Sequence, residues 1–372
     1  MSDTIAQFLQ ERIDAGDFPS AVYLVAEKGR VVVQGAVGSA VVQPESIEAR
    51  IDTIYDLASL TKPLVTALLA AMLIEDGVMA PDYRVATLLS EFEVPGKRTI
   101  TVLDLATHTS HLPAWMPFYL SIKDPAETLA EIATTDLEFG DGDVIYSDLN
   151  FMTLAAIVER FGGSRLDELA GQKIFGPLAL KDTAFNPTAG IRPRIAASEW
   201  GNGYEQQTSI DKGYLRPENS FVDGRFRKDV IWGEVHDNNA KFMGGVAGHA
   251  GLFSTASETM LLAEQFVADR TQLFKPETCE LFTTNFTEEM NEGRSFGFQL
   301  ASTPDSTAGT RLSRQSFGHN GFTGTSVWID PESDRIFVLL TNRTHCHSLP
   351  FININSVRRT FHDLAIAYLN GD

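Results

Sequence analysis

Four consecutive residues, Ser59-Leu60-Thr61-Lys62, place a hydroxyl and an amine three positions apart. On a helix, residues i and i+3 lie on one face, so the amine would lie beside the hydroxyl. A serine hydroxyl becomes a strong nucleophile when a neighbouring base takes its proton, and a lysine among apolar residues loses its charge more easily. Free N–H groups at the helix start would stabilise an oxyanion. The pattern indicates acyl chemistry at Ser59 with Lys62 beside it, although a capped helix with a surface lysine has the same spacing.

The same spacing recurs at Ser209-Ile210-Asp211-Lys212, where it serves as an internal comparison. That copy lies in a polar stretch flanked by glycines, which predicts a solvated turn. The first copy instead opens the most apolar stretch of the chain, residues 63–74. This stretch is shorter than the ~18–20 residues that cross a bilayer, so it predicts a buried helix.

A second candidate, Tyr146-Ser147-Asp148, stands just ahead of an apolar segment with helical spacing. A tyrosine at a helix start can lean into a cleft, and a lysine beside it favours its phenolate form. Such a group can relay protons to and from a serine. The alternative is a partly buried tyrosine with a structural role only.

The third candidate is the segment 317–324, Phe-Gly-His-Asn-Gly-Phe-Thr-Gly, which precedes a predicted strand. Glycines on an edge strand let a substrate approach the backbone closely. The N–H of Phe322, together with that of Ser59, would form an oxyanion hole, with Gly321 beside it and His319 lining the pocket. The alternative for His319 is a loop histidine bound to a backbone carbonyl.

Taken in order, the Ser-x-x-Lys, Tyr-x-Asp and His-x-Gly patterns resemble the serine β-lactamase and penicillin-binding-protein superfamily. Within it, the sequence is most similar to the branch of class C β-lactamases, family VIII esterases and D-amino-acid-releasing peptidases. Residues 107–110 and 244–256 also resemble segments of this family. The resemblance implies an α/β (α+β) fold, in which an antiparallel sheet from both termini is flanked by helices and a mostly helical domain is inserted. The site would lie in the cleft between the two.

Position by position, the resemblance implies that Ser59 is acylated, that Lys62 assists it and that Tyr146 is the general base. Three residues depart from the family pattern. Asp148 stands where class C β-lactamases have Asn, and His319 stands where the family has the Lys of Lys-Thr-Gly. His111 replaces the Gly of a His-Thr-Ser-Gly-Leu segment. The first two departures favour an esterase or another acyl hydrolase of less acidic substrates, since a carboxylate repels an anion and His319 replaces the lysine that attracts one.

Hydrophobic spacing predicts the elements that position these residues. Apolar alternation predicts two hairpins, 21–38 and 325–342, each beside a terminal helix. The expected domains are a discontinuous sheet domain, 1–62 with 293–372, and a helical insert, 63–292. Within the insert, 186–245 is rich in Gly, Asn and Pro and predicts long loops that set substrate choice. Six internal helices are expected, at 64–76, 101–107, 126–134, 149–161, 165–175 and 256–268.

The composition excludes several classes of function. Lys and Arg number 30 against 49 Asp and Glu, a net charge of −19, which argues against nucleic-acid and polybasic membrane surfaces. The two cysteines exclude a disulfide scaffold and are expected to be small buried hydrophobes. The first residues show no signal peptide, so we expect a cytoplasmic protein.

Cofactor and metal motifs are missing from the sequence, so no cofactor and no metal are expected. His345-Cys346-His347 resembles a metal-binding fragment, but consecutive side chains point in different directions. We expect His236 and His249 to tie loops together rather than to wall the cleft.

Three functions remain open. The leading hypothesis is an esterase-type acyl hydrolase with a covalent acyl-enzyme on Ser59. The alternatives are a β-lactamase or D-Ala-D-Ala carboxypeptidase or D-aminopeptidase, and a non-catalytic penicillin-binding-like protein. The expected partner is a small ester, amide or lactam; the acyl group, leaving group and oligomeric state are left open.

Overall fold

A computed structural model of the chain describes residues 4–139, 142–215 and 224–372. Two antiparallel sheets run through it. The strands are β1 (Ser20–Glu27), β2 (Arg30–Val41), β3 (Ile47–Glu48), β4 (Tyr55–Asp56), β5 (Ala184–Phe185), β6 (Leu252–Ser254), β7 (Gln299–Leu300), β8 (Phe317–Asn320), β9 (Ser326–Asp330) and β10 (Arg335–Thr341). The large sheet has the order β3-β2-β1-β10-β9-β8-β7, and the small one β4-β6-β5.

The two chain ends meet in the centre of the large sheet, where β1 pairs with β10 from Ala21↔Thr341 to Glu27↔Arg335. Successive side chains of a strand point to opposite faces. In β1, Val22 and Leu24 therefore belong to one buried cluster and Tyr23 and Val25 to another. Both faces of the strand are covered, so its run of apolar residues has no polar side. The predicted sheet from both termini is confirmed.

Helices cover both faces of the large sheet and fill the space between its two sequence halves. The α-helices are α1 (Thr4–Asp14), α2 (Leu68–Glu75), α3 (Val85–Leu88), α4 (Val102–Thr107), α5 (Phe118–Ser121), α6 (Thr128–Thr134), α7 (Asp148–Gly162), α8 (Leu166–Ala170), α9 (Gly203–Asp211), α10 (Asn238–Phe242), α11 (Ala256–Glu264), α12 (Glu280–Thr283) and α13 (Asn355–Asn370). All six predicted internal helices are present, several with 3-10 or π-helical turns at one end.

The Ser59–Lys62 motif lies at the start of a continuous helical run, Ala58–Glu75, which consists of a 3-10 turn, the π-helical turn Lys62–Ala67 and α2. By length and apolar composition this run could span a membrane, but 72% of it is buried inside the protein. It packs against α7, and the predicted buried helix is confirmed.

Residues 186–245 differ from the predicted long loops. They contain the 3-10 helix Ala189–Arg194 as well as α9 and α10, while 216–223 lie outside the described residues. Ser209 is fully buried within α9, so the prediction of a solvated turn there is wrong. Its hydroxyl donates to the Glu205 carbonyl (2.7 Å), which lets a polar group be buried in a helix.

The small sheet brings strands β5 and β6 from the predicted helical insert next to β4, which precedes Ser59. The division into two domains stays a prediction. Both cysteines are free, but only Cys279 is buried; Cys346 is exposed. His345 bridges two loops: its Nε2 accepts from the Val42 N–H (2.9 Å), and its Nδ1 donates to the Ser198 carbonyl (2.8 Å).

Candidate active site

Ser59 lies in the first helical turn after β4, on a backbone that is held in an unusual conformation. The preceding residue, Ala58, has φ 48°, a left-handed conformation that costs a residue with a Cβ about 1 kcal/mol or more. The carboxylate of Asp56 accepts from the Ala58 N–H (2.8 Å) and from the His236 N–H (2.7 Å). This buried carboxylate thereby fixes the turn that presents Ser59.

Lys62 is fully buried, and its Nζ is surrounded by acceptors. It donates to Ser59 Oγ (3.0 Å), to Asp148 Oδ1 (2.6 Å) and to the His249 carbonyl (3.2 Å). An ammonium has three N–H donors and no lone pair, so three acceptors match the charged form. The structure thus brings Ser59, Lys62 and Asp148 together as predicted, with the lysine as a donor to the serine.

The charge on Lys62 corrects one expectation from the sequence. Burial by itself lowers the pKa of Lys62, but the charges of Asp148 and Tyr146 outweigh it, and the pKa lies above its ordinary value. The expectation that Lys62 would lose its charge more easily in an apolar setting is therefore wrong, because Asp148 lies beside it. The carboxylate of Asp148 is also neutralised by this ion pair, which removes most of the repulsion expected against an anionic substrate.

Tyr146 borders the same cavity as Ser59 and lies one residue before the N-cap of α7. Its ring centroid is 5.0 Å from Lys62 Nζ, and the His108 ring packs against it at 4.6 Å. His108 in turn accepts from the Ser147 N–H (3.1 Å), which fixes the loop that carries Tyr146. Since Lys62 is charged, Tyr146 is the nearby group whose phenolate could accept the serine proton.

His111 explains one departure from the family pattern. It has φ 59°, within the left-handed region that glycine enters most easily. The backbone therefore keeps the conformation that the family's glycine allows, and the His111 ring packs on Phe139 at 4.7 Å.

The turn after β8 is anchored to the residues that precede Ser59. Thr323 Oγ1 donates to the Asp56 carbonyl (2.7 Å), and Thr325 Oγ1 donates to the Leu57 carbonyl (2.9 Å). Within the described residues, the N–H of Phe322, the residue just before Thr323, has no acceptor, and Phe322 lines the cavity. This arrangement suits the predicted oxyanion hole, in which a free N–H points to where the negative charge develops.

Gly321 has no room for a side chain in this turn. A Cβ there would lie 2.0 Å from Thr325 Oγ1 and 2.5 Å from the Leu57 carbonyl oxygen, a backbone atom two residues before Ser59. We expect Gly321→Ala to lower kcat for acylation about 10²-fold, as loss of one oxyanion donor does, because the turn must shift away from Ser59.

Burst kinetics with an activated ester measure this acylation step. Gly190→Ala is the matched control, since Gly190 is exposed and a Cβ there meets nothing within 4 Å. Equal acylation rates in the two variants would show that the turn after β8 does not shape the site.

The site opens into a cavity of about 500 Å³ between the end of β8 and the helical segments. His319 and Gly321 border it, as predicted. His319 Nδ1 also donates to the Asn320 carbonyl (2.9 Å). His319 therefore both lines the pocket and binds a backbone carbonyl, the two roles that the sequence left as alternatives. Burial, reinforced by the charges of Lys62 and Arg294, lowers the pKa of His319 well below its ordinary value. The imidazole is therefore neutral.

Two guanidinium groups border the cavity near Phe322. Arg343 Nε donates to the Phe322 carbonyl (2.7 Å), and Arg358 Nη2 donates to the Gly321 carbonyl (2.9 Å). Neither group is paired with a carboxylate anywhere in residues 4–139, 142–215 and 224–372. Burial, followed by repulsion from Arg343, lowers the pKa of Arg358 to about 9. The two cations therefore lie side by side without a counter-charge.

A cluster of polar side chains, Asp237, His249, Glu205 and Tyr119, adjoins Lys62 through the His249 carbonyl. Asp237 Oδ1 pairs with His249 Nε2 (3.0 Å), and despite burial this imidazole keeps the pKa of Asp237 below its ordinary range. Glu205 lies nearby, bound by the Tyr119 hydroxyl (2.9 Å), and burial with the Asp237 charge raises its pKa to about 8. His249 thus supports the site through its carbonyl and through its contact with Asp237, close to the loop-tying role expected for it.

Asp148, Asp237 and His249 offer ligand atoms within 4.8 Å of one another, a spacing that could hold a metal ion. The oxygens are, however, engaged by protein nitrogens: Asp148 by Lys62 Nζ at 2.6 Å and Asp237 by His249 Nε2 at 3.0 Å. The donor set therefore does not fit a metal while Lys62 stays charged. His236 pairs with Glu199 (2.8 Å), but its ring also stacks on Phe322 in the cavity wall. The expectation that His236 would tie loops together rather than wall the cleft is therefore wrong.

Three arginines of the site were missed by the sequence analysis: Arg294, Arg343 and Arg358. Only Arg358 carried a signal, because it falls on the apolar face of α13 between Ile354 and Phe361, where a charge needs an explanation. Arg294 and Arg343 lie in irregular segments after strands or turns, where position in the sequence says nothing about what they face.

Together, the sheet, the helical segments and the Ser59–Lys62–Tyr146 arrangement define a serine hydrolase of the β-lactamase and penicillin-binding-protein superfamily. A family model described as Beta-lactamase matches residues 5–354, and the chain belongs to that family. An Escherichia coli (strain K12) protein named "Putative D-alanyl-D-alanine carboxypeptidase" is 33% identical over 366 residues, which cover 91% of this chain and 81% of that protein.

Two solved structures show the same fold. EstCE1, described as "a hydrolase with promiscuous acyltransferase activity", matches with a TM-score of 0.73 at 20% identity, covering 97% of each chain. A class C β-lactamase from Rhodobacter sphaeroides matches with a TM-score of 0.73 at 18% identity, covering 99% of this chain and 100% of that one. The predicted family and fold class are confirmed.

Proposed function

We propose that this protein hydrolyses acyl bonds through an acyl-enzyme on Ser59 and prefers substrates whose leaving group carries a carboxylate, such as D-alanyl-D-alanine peptides. The observation that carries the proposal is the pair of guanidiniums, Arg343 and Arg358, at the Phe322 end of the cavity without a carboxylate partner. A substrate carboxylate would supply the missing counter-charge.

The charge balance of the molecule strengthens this proposal. The chain carries a net charge of −19, so carboxylates are plentiful, yet none pairs with these two cations in the described part of the chain. Arg358 Nε is buried and lacks a partner there as well. An unpaired buried cation such as Arg358 costs stability, so its presence in the cavity that holds Ser59 is best explained by binding of an anion.

This proposal departs from the expectation of less acidic substrates, which rested on Asp148 and His319. The ion pair with Lys62 neutralises Asp148, and the two arginines supply the attraction that a neutral His319 does not. The name of the Escherichia coli relative is in keeping with a substrate that ends in a carboxylate.

The site residues suggest the steps of the reaction. Ser59 Oγ bonds to the carbonyl carbon while its proton passes to the Tyr146 phenolate, and Lys62 stabilises the charge on Oγ through its hydrogen bond (3.0 Å). The N–H groups of Ser59 and Phe322 bind the oxyanion. The bond to the leaving group then breaks, and the leaving amine takes the proton from Tyr146. Water then attacks the acyl carbon while its proton passes to Tyr146. The bond to Ser59 Oγ breaks, Ser59 takes this proton back, and the acid is released.

The test compares an N-acylated D-alanyl-D-alanine dipeptide with its C-terminal amide. We expect the free acid to have the higher kcat/KM and Arg343→Gln to reduce the acid-to-amide ratio about 10- to 100-fold, since a charge-assisted hydrogen bond contributes about 1.5–3 kcal/mol. Because the acid-to-amide ratio compares two substrates of the same variant, a disturbance of Phe322 that slows both substrates equally does not change it. An acid-to-amide ratio that Arg343→Gln leaves unchanged would overturn the proposal.

An esterase of neutral substrates is the second candidate, favoured by the neutral His319 at the position of the family's lysine. A short-chain p-nitrophenyl ester and a chromogenic cephalosporin, assayed on the same sample, separate the possibilities. Turnover of the ester with none of the peptide acid or the cephalosporin would favour the esterase.

A further inference from the structure

The turn after β8, which carries the Phe322 N–H, is held at both ends by one side chain from α13. Arg358 Nη2 donates to the Gly321 carbonyl (2.9 Å) and to the Thr325 carbonyl (3.0 Å). An Nη2 nitrogen carries two hydrogens, so a single nitrogen can serve both carbonyls. The Gly321 N–H also donates to the Thr325 carbonyl (2.7 Å), which closes the turn. Arg358 thus joins the first and last carbonyls of the turn.

The direction of the Gly321 carbonyl determines the direction of the Phe322 N–H. The peptide bond between these two residues is trans and planar, so its C=O and N–H point in opposite directions. Because Arg358 holds the carbonyl on one side, the Phe322 N–H points to the other side, where it meets no acceptor within the described residues. A rotated peptide would turn a carbonyl oxygen, rather than an N–H, toward the developing oxyanion. Holding the carbonyl therefore aims the donor.

The other contacts of this turn do not replace Arg358. Arg343 Nε donates to the Phe322 carbonyl (2.7 Å), which belongs to the next peptide unit along the chain. The Gly324 N–H donates to the Gly321 carbonyl (3.1 Å), but it is part of the turn itself and moves with it. Among residues 4–139, 142–215 and 224–372, Arg358 is therefore the one side chain that holds the Gly321–Phe322 peptide from outside the turn.

Arg358 is well suited to hold a backbone carbonyl firmly. Its side chain is only 5% exposed, and its Nη1 donates to Asn355 Oδ1 (2.9 Å), which fixes the plane of the guanidinium. Hydrogen bonds from a charged donor are stronger than those from a neutral one. Such a bond also polarises the peptide that accepts it, which makes the N–H on the other side of that peptide a better donor.

We propose that Arg358 is a positioning residue of the oxyanion hole, which aims the Phe322 N–H at the substrate carbonyl oxygen by holding the Gly321 carbonyl. This role requires no charge on the substrate, so it is separate from the attraction of a substrate carboxylate. It rests on the function proposed above only in that Ser59 forms an acyl-enzyme.

The neutral ester p-nitrophenyl cinnamate tests the inference without a substrate carboxylate, since release of p-nitrophenolate measures acylation. Arg358→Met keeps a long side chain but removes every donor. We expect the acylation rate at saturating ester to fall about 10- to 100-fold, part of the 10²–10³-fold that one oxyanion donor contributes. The half-saturating concentration should stay the same, because the lost interaction forms only in the transition state.

Arg359→Gln is the matched control for the kinetic experiment. Arg359 is the next residue of α13, and its guanidinium also donates to two backbone carbonyls, those of Ser306 (2.9 Å) and Asp305 (2.7 Å). These carbonyls lie outside the turn after β8, so Arg359→Gln should acylate at the wild-type rate.

The infrared stretching band of the cinnamoyl carbonyl gives a readout that a merely structural role would not move. Hydrogen bonds to this oxygen lower its stretching frequency, and the difference between ¹³C-labelled and unlabelled acyl groups isolates its band. We expect Arg358→Met to move the band of the acyl-enzyme to higher wavenumber, while Arg359→Gln leaves it in place. Arg358→Lys keeps a charged donor and should restore part of both the rate and the lower wavenumber.

Asn355→Ala keeps the inference falsifiable if Arg358→Met does not fold. It removes the acceptor of Arg358 Nη1 and leaves the guanidinium in place, so the rate and the band should change in the same directions but by less. A rate loss without a band shift, or no change in any folded variant of these two positions, would overturn the inference. A wild type that forms no cinnamoyl-enzyme would refute the proposed function together with this inference. An acylated wild type whose band Arg358→Met leaves unmoved would refute this inference alone.

Discussion

Replacing Ser59 with alanine is expected to abolish covalent labelling by a fluorophosphonate and to lower kcat for any acyl substrate by about 10⁴-fold or more. The Ser59 hydroxyl is the one that Lys62 contacts (3.0 Å), in the first turn of a helix and on the cavity wall. Without that oxygen no acyl-enzyme can form, and what remains is binding and the oxyanion hole. Intact mass after labelling and steady-state rates measure both effects.

Ser209→Ala is the matched control for this experiment, because Ser209 has the same spacing to a lysine but is buried in α9. Its variant should label as the wild type does. An adduct that persists in Ser59→Ala would contradict the assignment of the nucleophile. A wild-type protein that binds acyl compounds but forms no adduct would support the non-catalytic alternative.

Replacing Asp148 with alanine is expected to lower the free energy of unfolding by about 3–5 kcal/mol at neutral pH. The change leaves the ammonium of Lys62, which is fully buried, without its carboxylate partner at 2.6 Å. Urea unfolding, followed by fluorescence, measures the loss. Asp167→Ala, which breaks an ion pair with an exposed arginine, should change the free energy by less than about 1 kcal/mol.

The loss at Asp148 should depend on pH with a definite sign. The folded-state pKa of Lys62 is raised in the wild type, so the ion pair contributes its full stability below the unfolded pKa of about 10.4 and loses it as pH rises through the folded value. In Asp148→Ala the unpaired lysine is destabilising while charged and becomes less so as it deprotonates. Burial lowers the pKa of an unpaired lysine, so the difference between the two proteins should begin to shrink below about pH 10.4, as the lysine of the variant deprotonates. It should shrink further above that pH as the wild type loses its ion pair.

A double variant, Lys62→Met with Asp148→Ala, separates the cost of an unpaired charge from other effects. With both charges gone, no buried ion remains, so most of the lost stability should return. If the double variant is less stable than Asp148→Ala alone, the ion pair cannot be what makes the single variant unstable. Activity should stay low in both, since Lys62 contacts Ser59 Oγ.

Much of the site could be predicted from the sequence because its motifs are local. Ser59 and Lys62 are brought together by three residues of helix, a geometry that hydrogen bonding of the backbone imposes wherever a helix forms. The helices and hairpins followed from hydrophobic spacing, and pairing of β1 with β10 was implied once both ends were recognised as antiparallel strands. The acidic composition and the cysteine count likewise exclude whole classes of protein, because both depend on residue numbers alone.

The charges and neighbours of the site side chains were decided only by tertiary structure. Whether Lys62 is charged depends on Asp148, 86 residues away, and whether Tyr146 faces a cation depends on Arg294, 148 residues away. Arg343 and Arg358 can be related to each other only because folding places both in the wall of one cavity, where neither has a carboxylate partner among the described residues. Electrostatic energies depend on distance and burial in space, which separation along the chain does not specify. The sequence by itself therefore determined which atoms can react, while the tertiary structure decided which charges surround them.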